Sequence, residues 1–333
     1  MSLHRGPLPG EVEFDRALRP ASLDEFIGQT RVRENLRVAI AAALGRAEPL
    51  DHLIFAGPPG LGKTTLAHLI ASAMGTNLTV TSGPALASPR DMAGMLTRQE
   101  RGDVLFIDEI HRVPRAVEEY LYTAMEDHAI DLVIDADGPA SRSVRLTLAP
   151  FTLVGATTRE GLLSSPLRSR FGIIERLETY PDADIAQILE RAAGKLGVQV
   201  TKPAVGLLAA RSRGVPRLAL RLQRRARDLA QVLEKGAIDE GIVRDCLERL
   251  GIDDLGLEET DRRILRALVQ RREPTGLKML AAMIDESEDT IEEVFEPHLI
   301  RRGLVVRTPR GRIATAEAFR HLGLPGEKGT LFG

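Results

Sequence analysis

The sequence predicts an α/β protein in three parts: a parallel β-sheet flanked by helices, a small all-α domain, and a winged-helix domain. Three observations predict it. Short apolar runs alternate with helix-like segments from about residue 52 to 158, strand signals then vanish beyond Pro181, and the last stretch reads as three helices followed by a hairpin. The expected boundaries are 1–181, with a β-hairpin inserted at about 129–149, then 182–254, then 255–333.

In chain order, the runs Leu53-Ile54-Phe55-Ala56, Leu78-Thr79-Val80, Val104-Leu105-Phe106-Ile107 and Phe151-Thr152-Leu153-Val154 are short, apolar and set off by Gly, Asp or Pro. Strands buried on both faces of a parallel sheet look like this. Residues 63–74 and 114–127 carry helical spacing, the second with Pro114 in its first turn. Ile130, Leu132 and Ile134, then Val144, Leu146 and Leu148, alternate on either side of Asp137-Gly138, which predicts a hairpin for stability or for a partner. Helical patterns follow at about 184–196, 203–213, 216–235 and 239–250, ended by Gly197, Gly214, Gly236 and Gly251. Further helices are expected at 258–271, 277–284 and 288–302. Leu304-Val305-Val306, the turn Pro309-Arg310-Gly311 and Ile313-Ala314-Thr315 then complete a winged helix-turn-helix, with a frayed tail after Gly323.

Composition excludes several classes. An apolar share of 43% and a charged share of 28% describe a chain that builds cores rather than a disordered one. A net charge of -2 rules out a polycation, so any nucleic-acid contact must come from a local basic patch. The single cysteine, Cys246, lies in an amphipathic run and reads as a small buried hydrophobe. Residues 1–10 contain no apolar signal core and no apolar stretch is long enough to span a bilayer, so a cytoplasmic protein without a membrane partner is expected.

Gly57-Pro58-Pro59-Gly60-Leu61-Gly62-Lys63-Thr64 fits the phosphate-loop pattern G-x-x-x-x-G-K-[ST] and sits between an apolar strand and a helix, as that motif requires. Its glycines let the backbone approach phosphate oxygens, Lys63 reaches the β- and γ-phosphates, and the Thr64 hydroxyl ligates Mg²⁺. The run 104–107 ends in Asp108-Glu109. Beside a phosphate loop, Asp108 would hold the Mg²⁺ shell through water and Glu109 would polarise the attacking water. The cofactors implied are ATP and Mg²⁺. His111 has no second His or Cys at zinc-ligand spacing, so it reads as a polar residue coupling the site to its surroundings. Thr158, after the next apolar strand, is either a sensor of the γ-phosphate or a simple strand cap. Arg168 and Arg170 precede Phe171-Gly172, and Arg301, Arg302, Arg307, Arg310 and Arg312 crowd the last domain as a positive face suited to DNA phosphates.

Together these motifs resemble the AAA+ ATPases, and within them the bacterial Holliday-junction branch-migration motors. The likeness runs over nearly the whole chain, including Leu18-Arg19-Pro20, residues 23–29, 57–65, 125–127, 155–159, 165–172 and 307–312. The resemblance implies an AAA+ large domain, a helical lid and a winged helix. It implies nucleotide contacts from Leu18, Arg19, Pro59, Gly60, Gly62, Lys63, Thr64, Thr65, Asp108, Glu126, Asp127, His128, Tyr180 and Arg217, the last as the lid's phosphate sensor. It makes Thr158 and Arg170 catalytic with Lys63 and Glu109, Arg170 being a finger given to the next subunit. Arg307, Arg312 and Arg310 would meet double-stranded DNA at four-way junctions. The implied partners are a homo-hexamer, RuvA docked on the 129–149 hairpin, and RuvC in the resolving complex. Two departures bear on the hairpin: His128 stands where the family pattern has tyrosine, and Asp135-Ala136-Asp137 lengthens the hairpin by one residue. The rival readings are an ATP-switched, origin-recognition-like DNA-binding protein and a clamp-loader subunit. Ser169-Arg170-Phe171 and the arginine-rich wing argue against the second.

Overall fold

The computed structural model describes residues 17–134 and 142–325. The described residues form two compact units, one from Arg19–Glu178 and the other from Thr179 onward together with Ala17 and Leu18.

The first unit carries helix α1 (Thr30–Arg46), β1 (Leu53–Ala56), α2 (Lys63–Met74), β2 (Leu78–Ser82), α3 (Pro89–Leu96), β3 (Val104–Asp108) and α4 (Arg115–Glu126). The hairpin β4 (Ala129–Ile134) and β5 (Arg142–Thr147), then β6 (Thr152–Thr157), α5 (Ser165–Arg168) and β7 (Ile173–Arg176), complete it. Five strands form one parallel sheet in the order β2-β3-β6-β1-β7. The three inner strands carry the apolar runs Leu53–Ala56, 104–107 and 153–154 and are buried on both faces, except at Asp108, which ends β3 half-buried.

Three elements escaped the sequence pattern for physical reasons. Strand β7 is an edge with Ile174 and Arg176 exposed, so Ile173-Ile174-Glu175-Arg176 lacks an apolar run. Helix α1 is rich in charge between its buried Val32, Leu36 and Ile40. Helix α3 did carry a signal: Ser88 and Asp91 form a reciprocal capping box with Pro89 in the first turn. Strand β6 extends past Val154 to Thr157, and Pro114 is the extended N-cap of α4 rather than a residue of its first turn. The hairpin is antiparallel, with Ile130 and Leu148 at its base buried in the core; its Asp137-Gly138 turn lies outside the described residues.

The second unit begins with α6 (Asp182–Leu196), α7 (Lys202–Arg211), α8 (Pro216–Val232) and α9 (Glu240–Leu250). Gly197 and Gly251 are left-handed caps as expected, whereas α7 and α8 are capped by Ser212 and Leu233, before Gly214 and Gly236. Cys246 is buried, and burial pushes its thiol up to about 11. The winged helix follows: α10 (Glu259–Arg271), α11 (Leu277–Ile284), α12 (Glu288–Thr290), α13 (Glu296–Arg301) and the wing strands β8 (Val305–Thr308) and β9 (Gly311–Ala314). One π turn, Ile291–Phe295, joins α12 to α13; Pro297, near the start of α13, has no N–H to donate, and a widened turn absorbs the missing bond. A short helix α14 (Ala316–His321) precedes the expected tail, most of which lies outside the described residues.

Within this unit the residues of the expected lid and wing share a buried ion pair. Arg213, in a left-handed conformation, donates to Asp261 at 2.6 and 3.3 Å and to the Gly256 carbonyl at 2.8 Å. Asp261 is fully buried and also accepts the Glu258 amide at the start of α10. Removing one partner of such a pair leaves an uncompensated buried charge. Arg213→Met should therefore destabilise this unit by about 3–5 kcal/mol, and the double change Arg213→Met with Asp261→Leu should recover most of it. Urea unfolding of the full chain checks this; a single variant within about 1 kcal/mol of the parent would make the pair superficial.

Candidate functional site

Strand β1 delivers the chain into the phosphate loop. The Gly57 amide donates to the Thr157 carbonyl at 3.0 Å, with φ 140° and no room for a side chain, since a Cβ would stand 2.5 Å from the Leu177 carbonyl oxygen. Gly62 then caps α2 in a left-handed conformation without a side-chain cap, and the first turn holds no acid. The leading amides of a helix have no intrahelical partner, so this end of α2 presents donors and a positive dipole to an anion. Lys63 is buried and donates to the carbonyls of Gly57 and Pro58 at 2.6 and 2.9 Å. Pro59, Gly60, Gly62, Lys63, Thr64 and Thr65 thus lie on one loop and helix start at the carboxyl end of β1.

The neighbouring strands end on the same side. Asp108 closes β3, and its Oδ1 accepts the Glu109 amide at 3.0 Å. Glu109 adopts φ 51°, and its Oε2 lies 3.7 Å from His111 Nε2 and 3.9 Å from Arg112 Nη1. The register Ala56↔Thr157 sets the end of β6 against the end of β1, so Thr158 follows directly beside the phosphate loop. Asp108 is two strand spacings, roughly 10 Å, from β1, with β6 between. A threonine hydroxyl and a water-mediated carboxylate form a hard oxygen donor set, which fits Mg²⁺.

Arg170 and the residues Glu126, Asp127 and His128 are gathered at the opposite end of the sheet. The Ile173 amide, just past Arg170, donates to the carbonyl of His52, the residue before β1, and His52 Nε2 lies 3.4 Å from the Met125 carbonyl. Both interactions mark the amino ends of β7 and β1. Arg170 donates to Glu126 Oε2 at 2.9 Å and to the Pro166 carbonyl at 2.7 Å, and stacks 4.6 Å from the centre of the Tyr122 ring. Asp127 pairs with Arg145 of β5 at 3.0 Å, and the His128 carbonyl accepts the Leu148 amide. Glu126, Asp127 and His128 therefore lie apart from this chain's own phosphate loop. Arg168 faces elsewhere and pairs with Glu160 at 2.8 Å.

In the second unit, Tyr180 is buried and its amide donates to the Gly214 carbonyl at 2.9 Å. Gly214 is left-handed, and a Cβ there would lie 2.6 Å from the Tyr180 oxygen. This brings Tyr180 to the turn that opens α8 with Pro216 and the exposed Arg217. Leu18 belongs to this unit and Arg19 to the other.

The wing differs from the open positive face expected of it. Arg307 and Arg312 each donate through Nε and Nη2 to the one carboxylate of Glu296, at 2.8 to 3.1 Å, and both approach Glu292. Burial opposes charge on Glu296, yet the two guanidinium groups hold its carboxyl below the usual range. Arg301 turns an Nη2 back to the Arg213 carbonyl at 3.2 Å. Arg310 is exposed in the β8–β9 turn.

Comparison with known proteins gives these features a family. Residues 18–177 match the P-loop domain of the Holliday junction DNA helicase RuvB, residues 180–253 the RuvB AAA lid domain and residues 254–323 the RuvB C-terminal winged helix domain. The chain is 55% identical over 317 residues to the Holliday junction branch migration complex subunit RuvB of Kosmotoga olearia, covering 95% of this chain and 92% of that protein. Its Thermotoga maritima counterpart is 54% identical over 92% of each. The solved structure of the Thermotoga maritima RuvB Holliday junction branch migration motor superposes with a TM-score of 0.85 at 51% identity, over 93% of this chain and 100% of that one. The AAA domain of FIGL-1 in complex with ADP, 17% identical with a TM-score of 0.52 over 69% of this chain and 85% of that one, shares the fold alone. Similarity at this level across all three parts shows that the chain belongs to the RuvB family of AAA+ Holliday junction branch migration motors.

Proposed function

We propose that this chain is an ATPase subunit whose hydrolysis drives duplex DNA through a Holliday junction in recombination and repair. It acts as a homo-hexamer with RuvA, docked on the 129–149 hairpin, and with RuvC in the resolving complex. Its working parts are residues 1–181, 182–254 and 255–333. The observation that carries the reading is the division of one sheet between two jobs: phosphate-facing groups at its carboxyl ends, and Arg170 at its amino ends. A four-residue strand spans roughly 13 Å, so Arg170 does not reach its own phosphate loop. A neighbouring subunit's nucleotide is what it can serve.

The α2 amides and Lys63 hold the phosphates, Thr64 and Asp108 hold Mg²⁺, and Glu109 orients and deprotonates water while Thr158 faces the γ-phosphate. Bound Mg²⁺ neutralises charge on the phosphate oxygens. Tyr180, Leu18 and Arg19 border the base and Arg217 reads the phosphate from the lid. Arg170 exchanges one anionic partner, Glu126, for another, the neighbour's γ-phosphate, with Glu126, Asp127 and His128 at that same junction. Arg307, Arg312 and Arg310 meet DNA phosphates, the first two already held in place by Glu296.

Separating binding from chemistry tests the site. Lys63→Ala should lose ATP binding, whereas Glu109→Gln should bind ATP with Mg²⁺ and turn it over at least 10²-fold more slowly; parent-rate hydrolysis by Glu109→Gln would remove the assigned base. The trans arrangement predicts complementation. Arg170→Ala and Lys63→Ala are each inactive alone, a finger being worth roughly 10³ to 10⁵ in rate, but mixed rings contain complete composite sites and should recover ATPase activity near equal mixing. Failure to recover, with subunit exchange shown by fluorescence transfer, would mean either that Arg170 works in cis or that hydrolysis needs several intact neighbours in concert. At the wing, removing one arginine–phosphate pair should flatten the plot of log K against log[salt] by about 0.9, so Arg307→Ala with Arg312→Ala should remove up to about two units, alike for unrelated DNA sequences. An unchanged slope would move DNA binding elsewhere.

A further inference from the structure

We propose that His111 is a positioning residue for ATP hydrolysis: it ties the Glu109 carboxylate to the end of β6, so that the water-orienting group and Thr158 keep a common register. The proposal rests on Glu109 being the hydrolytic carboxylate.

The His111 side chain is 4% exposed and stands between two groups. Its Nδ1 lies 2.9 Å from Thr157 Oγ1, and its Nε2 lies 3.7 Å from Glu109 Oε2. Thr157 is fully buried, and its Oγ1 accepts the Arg159 amide at 3.0 Å. The proposal takes the tautomer in which the Thr157 hydroxyl donates to Nδ1, so that Nε2 carries the ring proton and faces Glu109. The 3.7 Å separation is an electrostatic contact that a small rotation of the carboxylate closes into a hydrogen bond.

The backbone of Glu109 has little freedom. It sits at φ 51°, its carbonyl oxygen lies so close to Gly83 that a Cβ there would stand 2.4 Å away, and the turn Ile110–Arg112 follows directly. The adjustable part of Glu109 is its carboxylate, flanked by His111 within the fold and by Arg112 toward solvent. Arg112 is 59% exposed, so its hold is screened by water. Thr157 links three pieces of the site: its carbonyl anchors Gly57 of the phosphate loop, its hydroxyl holds His111, and Thr158 follows it in the chain. Any shift of the β6 end caused by the phosphate side reaches Glu109 through the imidazole.

Steady-state and single-turnover hydrolysis of ATP with Mg²⁺ and duplex DNA tests this, alongside nucleotide affinity and thermal unfolding of each full-length variant. His111→Ala should lower kcat roughly ten- to a hundredfold, the range expected when a group that orients another is removed, with nucleotide affinity within about twofold of the parent. His111→Gln, whose amide N–H can take the place of Nε2–H, should regain most of the rate; His111→Asn, which reaches only Thr157, should not. In the Glu109→Gln background, His111→Ala should slow hydrolysis no further. Arg112→Ala should change kcat less than threefold. If His111→Ala keeps the parent kcat, if its effect multiplies undiminished with Glu109→Gln, or if affinity and rate fall together in all three His111 variants, His111 is structural and the proposal is overturned. If Glu109→Gln alone hydrolyses at the parent rate, the carboxylate assignment has failed first, and the two failures are thereby told apart.

Discussion

The pairing of β1 with β6, closed by the Gly57 amide on the Thr157 carbonyl, is the interaction on which the hydrolytic site depends. Parallel strands must be joined by crossovers, so residues distant in sequence are brought to one edge only by the order of strands in the sheet. With β6 inserted between β1 and β3, the phosphate loop, Thr158 and the Asp108-Glu109 pair come to adjacent strand ends. Were β6 displaced to the sheet edge, each motif would keep its local form and the site would lose its central wall. The absence of a side chain at Gly57 permits this closure, because the Leu177 carbonyl occupies the space a Cβ would need.

The same parallel arrangement gives the sheet two chemically distinct ends. At the carboxyl ends the α2 dipole and Lys63 make a positive field suited to phosphate. At the amino ends lies a mixed cluster, Arg170 with Glu126 and Arg145 with Asp127, steadied by the Tyr122 ring and by the hydrogen bonds of Tyr122 and Ser164 to Glu118. An arginine already paired and stacked is pre-shaped, so passing it to another oxyanion loses little side-chain entropy.

In the second unit, buried carboxylates organise arginines. Asp261 anchors Arg213 one residue before Gly214, and Glu296 clamps Arg307 and Arg312 together at the wing. Each carboxylate is desolvated, and each is offset by guanidinium hydrogen bonds made through two nitrogens. The wing thus carries less net positive charge than its arginine count suggests, and Arg307 and Arg312 are held in fixed geometry while Arg310 stays exposed.

Sequence by itself determined the fold class, the inner strands, the phosphate loop, the acidic pair at the end of β3 and the winged helix, because these rest on local rules: apolar runs, glycine positions, helix periods and turns. It also made Arg170 and the wing arginines candidates by their position. Only the tertiary structure decided that Glu126, Asp127 and His128 stand at the far end of the sheet from the phosphate loop, since strand order and direction are long-range properties. It likewise decided that Arg307 and Arg312 share Glu296, residues eleven and sixteen positions away that no helical or strand period brings together. His111 was visible as a polar residue without a zinc partner, but its link to Thr157, forty-six residues on, exists only because β6 lies beside β3. Such pairings follow from burial in a shared core, where a polar atom takes whatever partner the packed elements bring within reach.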